Sequence, residues 1–213
     1  MLKKFVFFLF FLCVWPLSAC AESPSPLRFS EGVHYEAIDP PLPTRDPGRI
    51  EVVEYFWYGC PHCFQLEPSV ERWAEELPRD VDFWRSPAMW NDRMRLHARA
   101  YYAADALGAL NRLHPALFRA INRDDDPLSN AGAIRALFER NGIDGAKFEA
   151  VFDAFGISNK VNQADQRFRS AGLRGVPALV VQGKYRITGR NLRSHEEMFE
   201  VVDHLIALER AQP

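Results

Sequence analysis

Cys60 and Cys63 stand two residues apart in the stretch FWYGCPHCFQLEP, residues 56–68, and they form the only C-x-x-C in the chain. A thiol is a nucleophile and a good leaving group only as the thiolate, so a working cysteine needs surroundings that favour the charged form. The N-terminus of a helix supplies them, through unpaired N–H groups and the positive end of the helix dipole. The spacing also lets the sulfurs meet, since a two-residue gap across a helix start can close a disulfide without large backbone movement. The pattern points to reversible thiol–disulfide chemistry, with Cys60 at the helix start as the reactive thiol and Cys63, one turn further in, covered. Pro61 suits the first helical turn. His62 can add positive charge or a hydrogen-bond donor beside the Cys60 sulfur.

Two other uses of such a pair are open. A metal site needs further ligands, but there is no second C-x-x-C, and His34, His97, His114, His195 and His204 are scattered without ligand spacing, so no metal is expected. His97, in RLHARAYY, reads as a surface or packing histidine. A structural disulfide across so short a loop adds only roughly 2 kcal/mol. The reduced form is expected to be the more stable at pH 7, because a Cys60 thiolate with a folded pKa under roughly 5.5 outweighs that contribution.

The rest of the cysteine inventory places the chain outside the cytoplasm. Residues 1–20, MLKKFVFFLFFLCVWPLSAC, have Lys3 and Lys4, an apolar run from Phe5 to Trp15 and then small residues, the anatomy of an export signal too short to span a bilayer. LSAC, Leu17–Cys20, resembles the lipobox of bacterial lipoproteins, which would make Cys20 a lipidated first residue. AESPSP after it would be a spacer that cannot pack. The alternative is ordinary cleavage after Ala21, which discards Cys20. Either way Cys60 and Cys63 are the only thiols left, in an exported protein that uses no other cysteine as a staple. Loss of Lys3 and Lys4 with the signal moves the net charge from −2 to −4, and nothing in the balance calls for nucleic acid.

The elements that must position the pair follow from pattern. Ile50–Trp57 is β-branched and aromatic and reads as a central strand covered on both faces. A helix begins at Pro61, carries Val70, Trp73 and Leu77 at helical spacing, and should kink at Pro68. Val81–Trp84 alternates like a second strand. Residues 90–164 are helical throughout, with breaks expected at NRDDDP, Gly142 and Gly156. A longer helix should be capped by Ser158 and stopped at Gly172, and ALVVQGKYRIT should form a hairpin turning at Gln182 and Gly183. A last helix opens with a capping box from Ser194 to Glu197. The layout is α/β, a thioredoxin-like fold with an inserted all-helical domain. The divisions are 1–19 signal, 20–30 tether, 31–89 and 165–213 the two parts of the thioredoxin-like domain, and 90–164 the insertion.

FWYGCPHC together with GVPALVVQGKYR resembles the DsbA family of periplasmic thiol:disulfide oxidoreductases, over essentially the whole chain from about Glu31. The resemblance implies that Cys60 is the exposed nucleophile and Cys63 its buried partner. It further implies that Val176 and a cis Pro177 form the loop opposite the disulfide and hold the client, and that Glu54 is an acid buried beneath the disulfide. Glu67 and Arg85 match charged neighbours of that acid, with Arg85 where the pattern often has lysine. The implied activity is donation of the Cys60–Cys63 disulfide to reduced, unfolded exported proteins by a monomer. No cofactor is implied beyond the cysteine pair, and reoxidation would come from a DsbB-like membrane quinone reductase. Two alternatives are a disulfide isomerase or reductase, and a tethered peptide-binding chaperone module whose thiols are incidental.

Overall fold

The structure, a computed structural model, describes residues 28–212. A five-stranded sheet runs in the order β1 (Glu36–Ala37), β5 (Tyr185–Ile187), β4 (Ala178–Val181), β2 (Ile50–Phe56) and β3 (Val81–Pro87). β2 lies parallel to β3, whereas the β2–β4, β4–β5 and β1–β5 pairs are antiparallel. β2 is thus central, and six of its seven residues are buried, as its apolar run requires. β3 extends three residues beyond Trp84 because its parallel register with β2 continues through Arg85, which lies beside Glu54.

β2 leads into α1 (Pro61–Glu75), with Cys60 as its N-cap and Pro61 in its first turn. The helix continues unbroken through Pro68. Between β3 and β4 come five helices, α2 (Asp92–Ala106), α3 (Leu110–Asn122), α4 (Ala131–Arg140), α5 (Gly145–Phe152) and α6 (Phe155–Ser170), and α7 (His195–Arg210) closes the chain. One apolar core unites β2, the helical block and the cysteines; a second lies between the sheet, α1 and α7 and includes Val52, Val70, Leu179 and Leu205.

One expected helix boundary and one expected cap contact differ from what is observed. α6 starts at Phe155 with Ala154 as its N-cap, so Gly156 lies inside the helix and Ser158 caps nothing. The chain breaks instead at Asp153 and Ala154, a break set by how α5 ends rather than by a glycine. Ser194 does cap α7, accepting from the Glu197 N–H, but the Glu197 carboxylate reaches back to the N–H of Arg193 rather than of Ser194. The hairpin turns where expected: Gln182 and Gly183 have φ of 50° and 63°, the left-handed pair a two-residue turn demands. A Cβ on Gly183 would come within 2.3 Å of the Leu42 carbonyl oxygen, so that position also excludes a side chain.

Candidate active site

The end of β2 and the start of α1 set the position of Cys60. Its N–H donates to the Trp57 carbonyl at 2.9 Å, and its own carbonyl accepts from Phe64 at 3.1 Å, so the residue joins the strand's exit turn to the helix. Gly59 permits this turn, because a Cβ there would lie 2.3 Å from the Trp57 ring. Trp57 is fixed in turn, donating through its indole N–H to Nδ1 of His97 at 3.1 Å. His97 is buried and its Nε2 lies 3.2 Å from the Pro127 carbonyl, so it is a packing histidine in the neutral form, its pKa lowered by burial.

The two sulfurs are thiols in this structure. Cys60 Sγ accepts from the backbone N–H of Cys63 at 3.4 Å and donates to the Val176 carbonyl at 3.5 Å. Cys63 is completely buried and Cys60 retains 8% exposure, so only the Cys60 sulfur can meet a partner without rearrangement. The Val176–Pro177 peptide bond is cis, as expected, and no hydrogen bond among the described residues engages the Val176 N–H. His62 is exposed beside this mouth.

The pair divides its charge unequally. Cys60 is lowered to about 6, first because the Cys63 thiol hydrogen-bonds to its sulfur, then through the backbone N–H groups of Cys63 and His62 and the His62 charge; burial opposes these. Burial pushes Cys63 the other way, well above the ordinary thiol range, and the neighbouring Cys60 and Glu54 charges add to the rise. The lowering of Cys60 has the sign that favours the reduced form as pH rises.

Beneath Cys63 lies a cluster of buried charge. Glu54 is wholly buried, and Arg85 donates to it at 3.0 Å while also bonding Glu67 and Glu71, each at 2.8 Å. Burial, helped by the Glu67 charge, raises Glu54 to about 7 against the pull of Arg85. Burial likewise raises Glu67 to about 7. The second Glu54 oxygen, Oε1, has no hydrogen-bond partner among the described residues. A carboxyl that is protonated near neutrality, close enough to Cys63 for its charge to raise that thiol, is suited to exchange a proton there.

The sequence did not single out His114 or Tyr58. His114 comes from α3 and is fully enclosed; its Nδ1 lies 2.7 Å from the Tyr58 hydroxyl and its Nε2 3.2 Å from Glu67, without the alignment of a hydrogen bond. Burial and the Arg85 charge lower it to about 3, so it is neutral. An aromatic wall of Phe56, Tyr58, Tyr101 and Phe118 encloses its ring. The local signal, a histidine on the strongly amphipathic helix NRLHPALFRAI, marks it as inward-facing but not as a neighbour of residue 67.

Among the described residues no group of three or more His, Cys, Asp or Glu side chains could hold a metal ion, and no helix is long and apolar enough to cross a membrane. Cys20 lies outside the described residues.

Comparison with known proteins gives a consistent set of relatives. Residues 70–196 match the family profile described as a DSBA-like thioredoxin domain. The thiol:disulfide interchange protein DsbA of Azotobacter vinelandii is 35% identical over 198 residues, 93% of this chain and 92% of the relative. The protein of the same name from Bordetella pertussis is 38% identical over 178 residues, covering 83% and 84%. Among solved structures, Pseudomonas aeruginosa DsbA superposes with a TM-score of 0.83 at 34% identity, covering 86% of this chain and 95% of that one. The oxidoreductase DsbA from Xylella fastidiosa gives 0.80 at 31% identity, covering 86% and 98%.

Proposed function

This chain belongs to the DsbA family of thiol:disulfide interchange proteins, and we propose that it works as a dithiol oxidase in which Cys60 meets the client and Cys63 receives the electrons. The protein is a thiol:disulfide oxidoreductase of thioredoxin-like fold. In the working cycle a client thiolate attacks Cys60 Sγ of the oxidised pair. The Cys60–Cys63 bond breaks, a client–Cys60 bond forms, and Cys63 leaves with the electron pair. Its burial makes it a poor thiolate, so it takes up a proton, and Glu54 with its free Oε1 is the donor. A second client thiolate then attacks the client sulfur, and Cys60 leaves as a thiolate, stable because its pKa lies near 6. The client carries away the disulfide and the enzyme holds two reduced cysteines.

The observation that carries this reading is the Cys60 sulfur at the helix start, 3.5 Å from the Val176 carbonyl. Val176 offers that carbonyl and an unengaged N–H to an extended client segment, and Pro177 shapes the loop that presents them. Pro61 sets the first turn of α1, and His62 adds positive charge at the mouth. The clients are reduced, unfolded exported proteins, and a DsbB-like membrane quinone reductase restores the disulfide. The location is the periplasm, with Cys20 as a lipid anchor after removal of residues 1–19. The monomer is divided into residues 31–89 and 165–213 around the insertion at 90–164 with a tether at 20–30, but Phe29 is buried in the second core rather than in a tether, and α6 runs across the 164/165 boundary. Mass spectrometry of the mature N-terminus tests the anchor: an acylated Cys20 supports it, and an unmodified chain beginning at Glu22 contradicts it. Equilibration of the Cys60–Cys63 pair with a glutathione buffer tests the oxidase. A strongly oxidising pair is expected, and a reducing one would transfer the assignment to a reductase.

A further inference from the structure

A groove of about 550 Å³ opens beside the cysteines, between the loop that precedes β4 and the start of α7. Val176 and Pro177 form one edge, and Leu192 and Met198 supply apolar surface. Its charged and titratable lining residues are Arg174, Arg190 and Arg193, with His62 and His195, and no aspartate or glutamate lines it. Arg193 is committed to Glu197 at 2.6 Å. Arg174 and Arg190 are exposed and make no salt bridge among the described residues. This one-sided charge sits on a chain whose net charge is −2. A cleft lined by one sign of charge concentrates ligands of the other sign.

We propose that the groove selects client segments carrying a carboxylate close to the reactive cysteine, and that Arg174 and Arg190 are the residues that read it. The inference rests on the oxidase reading and on Val176 as the place where the client backbone lies. An extended segment advances roughly 3.3 Å per residue. Arg174 is two positions from Val176 on its own strand of chain, so a carboxylate two to four residues from the client cysteine comes within reach of a guanidinium. Guanidinium forks bind carboxylates in bidentate fashion, which favours aspartate or glutamate over a neutral amide of the same shape. Both arginines are solvent-exposed, so their effect falls on encounter and is screened by salt, appearing in kcat/KM rather than in kcat.

The test uses the oxidised full chain and three reduced two-cysteine peptides that differ only in Asp, Asn or Lys two residues from the first cysteine. Dithiothreitol, which carries no charge besides its reacting thiolate, serves as the small-thiol reference. At low salt the Asp peptide is expected to be oxidised about tenfold faster in kcat/KM than the Lys peptide, with Asn between them. The ratio should collapse at about 0.5 M salt. The double variant Arg174→Gln, Arg190→Gln should bring the three peptides to equal kcat/KM and change dithiothreitol oxidation no more than that of the Asn peptide. Equal kcat/KM for all three peptides with the unsubstituted protein, or a preference that survives the double variant, overturns the proposal. Failure of the unsubstituted protein to oxidise dithiothreitol would instead overturn the oxidase reading on which it rests.

Discussion

One turn of helix separates Cys60 from Cys63, yet the two sulfurs sit in opposite surroundings. Cys60 caps α1, takes its neighbour's N–H and faces a loop, and its thiol is lowered to about 6. Cys63 is shut in above a buried carboxyl, where burial holds it protonated. The backbone chemistry is the same; burial and the polarity of the helix end divide the pair into a thiolate that leaves readily and a thiol that keeps its proton. The same contrast extends outward, from a cationic mouth around Cys60 to an acid-rich floor around Glu54.

The largest effect should come from exchanging the sulfurs one at a time. Cys60→Ser is expected to abolish reaction of the reduced protein with a small disulfide, by at least about 1000-fold, whereas Cys63→Ser should retain it within several-fold. Rapid-mixing kinetics of the two variants checks this, and comparable losses in both would erase the division. Next in size is the loop that holds the client. Pro177→Thr should slow peptide turnover on the order of 10- to 100-fold and trap mixed disulfides visible on a non-reducing gel, because the client is misplaced for resolution. Unchanged turnover with no trapped species would remove the loop from the mechanism.

The floor and the mouth should respond to pH with opposite signs. Glu54 is raised above its unfolded value, so the folded state binds the extra proton and stability falls as pH rises from about 4.5 to about 7. Glu54→Gln should therefore stabilise the protein by about 2 kcal/mol at pH 8 and by little at pH 4.5 in denaturant melts. Equal effects at both pH values would mean that Glu54 does not titrate in this range. Cys60 is lowered, so its contribution to the reduced form is full above the unfolded pKa of about 8.5 and is lost as pH falls through about 6. Melts of the two redox forms should show the reduced form as the more stable at pH 7 and its advantage lost in acid; a difference constant with pH would contradict the thiolate account, and a more stable oxidised form at pH 7 would contradict the oxidase reading. The smallest change is expected at the mouth, where His62→Ala should raise the Cys60 pKa by roughly half a unit.

How much of this is legible in the sequence depends on how local the cause is. Cys60, Pro61 and Cys63 are placed by adjacent residues: the apolar run of β2, Gly59, and a proline suited to a first turn. The Gln182–Gly183 turn is equally local. Glu54 and Arg85 are paired by strand register, which the pattern hints at but does not fix, because the observed β3 is longer than its alternating stretch. His114 could not be placed, since it reaches Glu67 only after the helical block folds back onto the sheet. Gly156 misleads for a related reason: a glycine is tolerated inside α6 where tertiary packing decides the helix boundary.

The division between the sulfurs is tested most directly by following thiolate ultraviolet absorbance of the reduced protein against pH, with Cys63→Ser to assign the signal. One thiolate should appear with a midpoint near 6, persist in Cys63→Ser, and be joined by no second thiolate below about pH 9. Two thiolates rising together near 8.5, or an early titration that disappears in Cys63→Ser, would contradict the account.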